Sequence, residues 1–149
     1  MNEIQKPSNN LGGLLQIWAF EYKAVWFTGR SAALDPANAF KFYFSPESME
    51  FKEPPQITSA GTHYLTEVSG FAPNNNETIL SMITEMQGKR FVVIFQDGNE
   101  NYLAAGTHLF PLRMNAVLDP GKSVSDLSGY KITFAGQTIS RAFFIDNPF

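Results

Sequence analysis

From Leu14 to Tyr22 the chain alternates with a period of two, placing Leu15, Ile17 and Ala19 on one face and Gln16, Trp18 and Phe20 on the other. That period is strand geometry, because successive side chains of an extended chain point to opposite faces. Both faces carry large apolar groups, so such a strand needs cover on each: core on one side, and a further element or another chain on the other. Phe40, Phe42 and Phe44 alternate with Lys41 and Tyr43 and predict a half-buried strand ending at Pro46. Thr62 to Ser69 alternates again. The run Phe91-Val92-Val93-Ile94-Phe95 is apolar on both faces and predicts a central strand. Asp97-Gly98-Asn99 then reads as a hairpin turn with Gly98 at positive φ, and Asn101 to Thr107 as its return strand. Leu109 to Leu118, Ser128 to Ala135 and Thr138 to Ile145 predict further strands, separated by Asp119-Pro120-Gly121 and by Gly136.

One helix stands out, over about Asn76 to Gln87. Asn74, Asn75 and Asn76 supply N-cap candidates, and Glu77 complements the helix dipole. Ile79, Leu80, Ile83 and Met86 form one apolar stripe, and Gly88 closes the helix with Lys89 and Arg90 beyond it. Lys23 to Asn38 shows no sustained periodicity and reads as a long excursion. Ser45 to Ser59, with Pro46, Pro54 and Pro55, is excluded from a central ladder and expected on the surface. Residues 1–13 are polar and end in Gly12-Gly13, which predicts a flexible N-terminal arm ahead of a single β-rich domain over 14–149. The fold class expected is mainly β (α+β): an antiparallel β barrel or sandwich of about seven or eight strands with one flanking helix. Ala-Gly-Thr recurs at 60–62 and 105–107, and Ala-Gly-Gln-Thr at 135–138; the unequal spacing makes these turn chemistry rather than a repeat.

Composition fits a folded domain, with 44% hydrophobic and 17% charged residues, and the low charge together with 14 Phe implies either partner contact or an aromatic β core. The net charge of -3 is spread along the chain, so neither direct nucleic-acid binding nor attraction to an anionic membrane is expected. The longest uninterrupted apolar run has five residues, against the ~20 of a membrane-spanning helix, and residues 1–13 lack a signal-peptide pattern. With no Cys there is no disulfide framework, thiolate metal site or thiol nucleophile.

The remaining chemistry is sparse. His63 and His108 share a Gly-Thr-His context, but a zinc site needs a third ligand that no spacing supplies. Glu47, Glu50, Glu67, Asp97, Asp126 and Asp146 offer carboxylates without selecting a pair for glycoside hydrolysis. Gly-x-Ser-x-Gly and phosphate-binding glycine loops are absent from the sequence. No catalytic residue, cofactor or metal is therefore expected. Trp18, Trp26, Tyr43, Tyr64 and Tyr102 could form a platform for sugars or peptides, preferably on the Trp26 to Asn38 excursion.

Arg90 to Gly106 (RFVVIFQDGNENYLAAG), Phe110-Pro111-Leu112-Arg113 and Ser128 to Gly136 (SGYKITFAG) together resemble small structural proteins of tailed phages and prophages of Bacteroidetes bacteria. The likeness runs from Gly12 to Phe149. It implies a virion component, without placing it in tail, neck or capsid. A β barrel or sandwich with one flanking helix is also, by fold-level analogy, the architecture of phage tail-tube and connector proteins, and low charge, two-faced strands and a free arm fit ring assembly. The expected role is a non-enzymatic virion protein made in the host cytoplasm, of tail or neck before capsid, partnered by copies of itself as a homo-oligomer and by other virion proteins. A carbohydrate-binding β module and a capsid-associated auxiliary protein are the alternatives. Trp18, Phe20, Trp26 and Phe149 are the expected assembly contacts. Phe149, after Asp-Asn-Pro, either docks on a neighbour or caps an edge of its own domain.

Overall fold

The computed structural model describes residues 2–3, 12–35, 37, 39–73, 75–122 and 128–149. In chain order the strands before the helix are β1 (Leu14–Glu21), β2 (Val25–Thr28), β3 (Ser31–Leu34), β4 (Ala39–Lys41), β5 (Glu50–Lys52), β6 (Pro55–Thr58) and β7 (Gly61–Ala72). The helix α1 (Glu77–Met86) follows, then β8 (Arg90–Asp97), β9 (Tyr102–Ala105), β10 (Leu112–Asp119), β11 (Gly129–Thr138) and β12 (Phe143–Ile145). The fold is mainly β, and among the described residues there is one flanking helix and every strand pairing is antiparallel. The described residues hold twelve strands, more than expected, because several are short edge pieces. Ten belong to one sheet that is left open, and β2 with β3 forms a separate hairpin.

β8 organises the sheet. Along one side it pairs with β1, from Glu21 opposite Phe91 to Leu14 opposite Asp97. Its other side is shared, with β9 opposite Val93–Gln96 and β10 opposite Arg90 and Phe91. From β10 the sheet continues through β11 to β7, whose far side carries β5 and β6.

This branching gives β8 two buried faces. Phe91, Val93 and Phe95 enter a large core with Ile17 and Ala19 of β1, Ile132 and Phe134 of β11, and the helix stripe Ile79, Ile83 and Met86. Val92 and Ile94 enter a smaller one with Phe20, Val25, Ala104 and Ile145. The second cover expected for β1 and β8 is thus supplied by the chain itself, through the β2–β3 hairpin and β12.

The helix lies within a residue of expectation at each end. Asn76 Oδ1 accepts from Ile79 N at 3.0 Å, and Gly88 (φ 81) follows the last turn. Leu80, expected in the buried stripe, is exposed instead. Lys89 reaches out over the Phe40 ring, 5.9 Å from its centroid.

Four further expectations are corrected. Within the 23–38 excursion the chain forms β2 and β3, joined through Gly29 (φ 60) and Arg30. Their alternation is masked in the sequence because Trp26 faces outward while the small Ala32 faces inward, which inverts the usual hydrophobic contrast. Of the Phe40–Phe44 stretch only Phe40 and Lys41, within β4, join a ladder, although Phe42 and Phe44 are buried. The turn after β8 keeps its place but not its chemistry. Asp97 Oδ1 accepts from Asn99 N and Asn101 N, both at 2.9 Å, and the left-handed residue is Glu100 (φ 65), not Gly98. Lastly, β11 runs through Gly136 to Thr138 instead of breaking there, and beyond Thr138 only Phe143–Ile145 of the 138–145 stretch is strand. The proline-bearing stretch 45–59 does stay out of the sheet centre, contributing β5 and β6 at its margin. The expected arm, residues 1–13, lies outside the described residues except for 2–3 and 12–13.

Candidate functional site

Three of the four expected contact residues meet on the smaller layer. β1 carries Trp18 and Phe20 on the face turned toward it, and the C-terminal residues after β12 cross the same face. The Phe149 ring lies 4.7 Å from Trp18, 6.4 Å from Phe20 and 6.1 Å from Tyr102, centroid to centroid. It rests on this seat rather than in it, staying 61% exposed. Of the two places expected for Phe149, the chain's own surface is the one occupied here. Phe20, at 1% exposure, is a core residue and offers nothing to a partner in this state. Lys41 Nζ stands 6.0 Å from the Trp18 ring centroid.

Trp26 sits apart, on the outward face of the β2–β3 hairpin. Its ring stacks on His108 at 5.4 Å with 26° between planes, and His108 Nδ1 lies 3.4 Å from the Tyr22 carbonyl oxygen. His108 and Leu109 belong to the β9–β10 connection, which folds back so that Phe110 N donates to Thr107 Oγ1 at 3.1 Å. Between hairpin and connection runs an apolar groove of about 490 Å³, lined by Val25, Trp26, Phe27, His108, Leu109 and Phe143. Trp26 and Leu109 on its rim are 59% and 80% exposed. Phe27 and Phe143 meet edge to face at 5.0 Å at the groove. On its other side Trp26 borders a smaller depression of about 240 Å³ with Glu21, Lys23 and Asp35.

The sequence does not mark His108 and Leu109 as contact residues: Leu109 opens the 109–118 stretch read as strand, whereas the strand begins only at Leu112 and leaves both residues in the connection. His63 is elsewhere, on β7 opposite Gln56 of β6, so the similar Gly-Thr-His contexts do not make a pair. Among the described residues no cluster of three or more His, Asp or Glu is placed to hold a metal. The carboxylates are dispersed: Glu50 pairs with Lys52 at 3.1 Å, Asp97 closes its turn and Asp146 faces Arg30 at 3.5 Å. Asp126 lies outside the described residues. A carboxylate not singled out earlier, Glu53, accepts from Ala142 N at 2.9 Å and from Arg141 Nη1 at 3.3 Å, which ties the start of the C-terminal segment to the β5–β6 connection.

Chemically, the groove can take apolar or aromatic side chains of a partner, and the smaller depression can stack an apolar ring face on Trp26 beside polar groups. No described helix is long and apolar enough to cross a membrane. No family model matches this chain, and no curated protein and no solved structure matches it.

Proposed function

We propose that this chain is a non-enzymatic structural subunit of a phage virion, a tail or neck component that assembles with copies of itself and with neighbouring virion proteins. The observation that carries this reading is the apolar groove between hairpin and β9–β10 connection, with Trp26 and Leu109 standing exposed on its rim. Apolar surface gathered in one place on a soluble domain marks protein contact more often than isolated exposed residues do. Two further features support it. Among the described residues β4 pairs only with β1 and β12 only with β9, so both ends of this part of the sheet present unpaired strand edges. The resemblance of Arg90 to Gly106 and Ser128 to Gly136 to phage structural proteins supplies the virion setting.

The test is self-association by light scattering at rising concentration, joined to a mass-spectrometric inventory of purified virions. A Trp26→Ser, Leu109→Ser variant keeps its circular dichroism and loses association. A chain that stays monomeric and is missing from particles contradicts the reading; recovery in a capsid fraction alone makes it a capsid-associated auxiliary protein.

The depression shared by Trp26, Glu21, Lys23 and Asp35 favours a second reading, a carbohydrate-binding module. An indole face beside carboxylates and an ammonium offers both stacking and hydrogen bonding to a sugar ring. Glycan-array binding by the monomer, abolished by Trp26→Ala, would establish it.

A further inference from the structure

We infer that residues 143–149 are an exchangeable strap, and that the seat they occupy receives the same segment of a second copy when copies assemble. The inference rests on the assembly reading above and adds to it which part of one copy enters the other.

The strap is attached thinly. Its ladder is three residues long, Phe143, Phe144 and Ile145 opposite Ala104, Leu103 and Tyr102. Ile145, at 3% exposure, is its one fully buried residue. Beyond it, Asp146 N donates to the Arg30 carbonyl at 2.8 Å, and the Asp146–Arg30 ion pair is exposed on both sides. Exposed pairs of this kind contribute little. Phe149 adds a ring contact that leaves most of its surface in solvent.

Its base, in contrast, is fixed. Glu53 holds Ala142 N and the Arg141 guanidinium, and Arg141 Cζ stands 4.7 Å over the Tyr64 ring. These contacts place the pivot between Ala142 and Phe143. Seven residues from that pivot reach roughly 23 to 25 Å when extended, enough to cross to an abutting subunit.

The occupant follows from fit. The seat formed by Tyr102, Leu103, Ala104, Trp18 and Arg30 already accepts this one segment, and a second copy carries an identical one. Exchange reproduces the strap's contacts between copies, so opening is repaid and the remaining cost is that of bringing two copies together. Phe143, the first strap residue, also lines the groove that carries the assembly reading. A neighbour engaging that groove therefore touches the strap at its pivot and raises the local concentration of its own.

The absence of Cys from the chain permits a direct test. Arg30→Cys and Asp146→Cys lie at exposed positions, so folding should tolerate both. Leu103→Cys with Phe144→Cys is a second pair, at directly opposed ladder positions whose spacing suits a disulfide. Co-expressed single variants, Arg30→Cys in one copy and Asp146→Cys in the other, are oxidised after assembly and run on a non-reducing gel. The expected result is a linked heterodimer, at least about tenfold above the dimer from either variant alone, repeated with the second pair. If light scattering shows oligomers, yet only the double variants close and do so within one chain, the strap stays at home and the inference is overturned while the assembly reading stands. If no oligomer forms in any sample, both fall together.

Discussion

On one face of β8, Phe91, Val93 and Phe95 lie beneath α1 and strands β10, β11 and β7. On the other, Val92 and Ile94 are as fully buried, but beneath a hairpin of two four-residue strands and the three-residue β12. The covers differ in how they are held. β11 meets β7 over nine opposed pairs within the main sheet. The hairpin belongs to no larger sheet: the bond from Asp35 N to the Ala24 carbonyl at 3.0 Å closes its own base, and the bond from Asp146 N to the Arg30 carbonyl at 2.8 Å ties its turn to the C-terminal segment. Equal burial of the strand therefore conceals unequal resistance to opening, since local stability follows the number of apolar contacts and protected hydrogen bonds that must break together. The apolar groove and the aromatic seat both lie on the thinly covered side, where displacement costs least.

Substitutions graded by layer can break or sharpen this contrast. Phe91→Ala removes a side chain with 0% exposure that meets Phe40 and Phe134 edge to face, and should cost about 3 to 5 kcal/mol in urea unfolding. Ile145→Ala should cost about 2 to 3 kcal/mol locally, read as faster hydrogen exchange over β9 and β12 with α1 unchanged. If Ile145→Ala instead lowers protection everywhere, the two layers unfold as one unit and the contrast fails. Phe149→Ser should cost less than about 1 kcal/mol of monomer stability, because the ring is already largely in solvent. The same variant should lose assembly, and a large stability loss with assembly intact would mark Phe149 as an internal cap alone. The smallest effect expected is a gain: Glu100→Gly relieves a left-handed residue and should raise stability by roughly 0.5 to 1 kcal/mol. Gly98→Ala, at a position without positive φ, serves as its control in the same denaturation series.

How much of this was legible in the sequence depended on contrast between neighbouring positions. β8 and the helix announced themselves, one as an unbroken apolar run and the other through Asn76, Ile79, Ile83 and Gly88 at helical spacing. The two-faced character of β1 correctly implied a second cover without saying whose. β2 and β3 escaped because an outward Trp26 opposite Ala33 shows no polar face, and the groove they help to line was therefore invisible. The turn after Asp97 was placed by its Asp-Gly pair, yet the carboxylate bonds of Asp97 moved the left-handed residue to Glu100, a choice decided by side-chain capping rather than glycine content. Phe149 meets residues 131, 129 and 47 positions away in sequence, Trp18, Phe20 and Tyr102, and no local pattern encodes such a contact.

Hydrogen exchange on the assembled protein, compared with the dilute monomer, tests the central claim most directly. Assembly through the thinly covered side should add protection at Val25–Thr28, in the Thr107–Leu109 connection and along β12, and leave α1 as it was. New protection on α1, with the hairpin and the C-terminal segment exchanging as in the monomer, would contradict it.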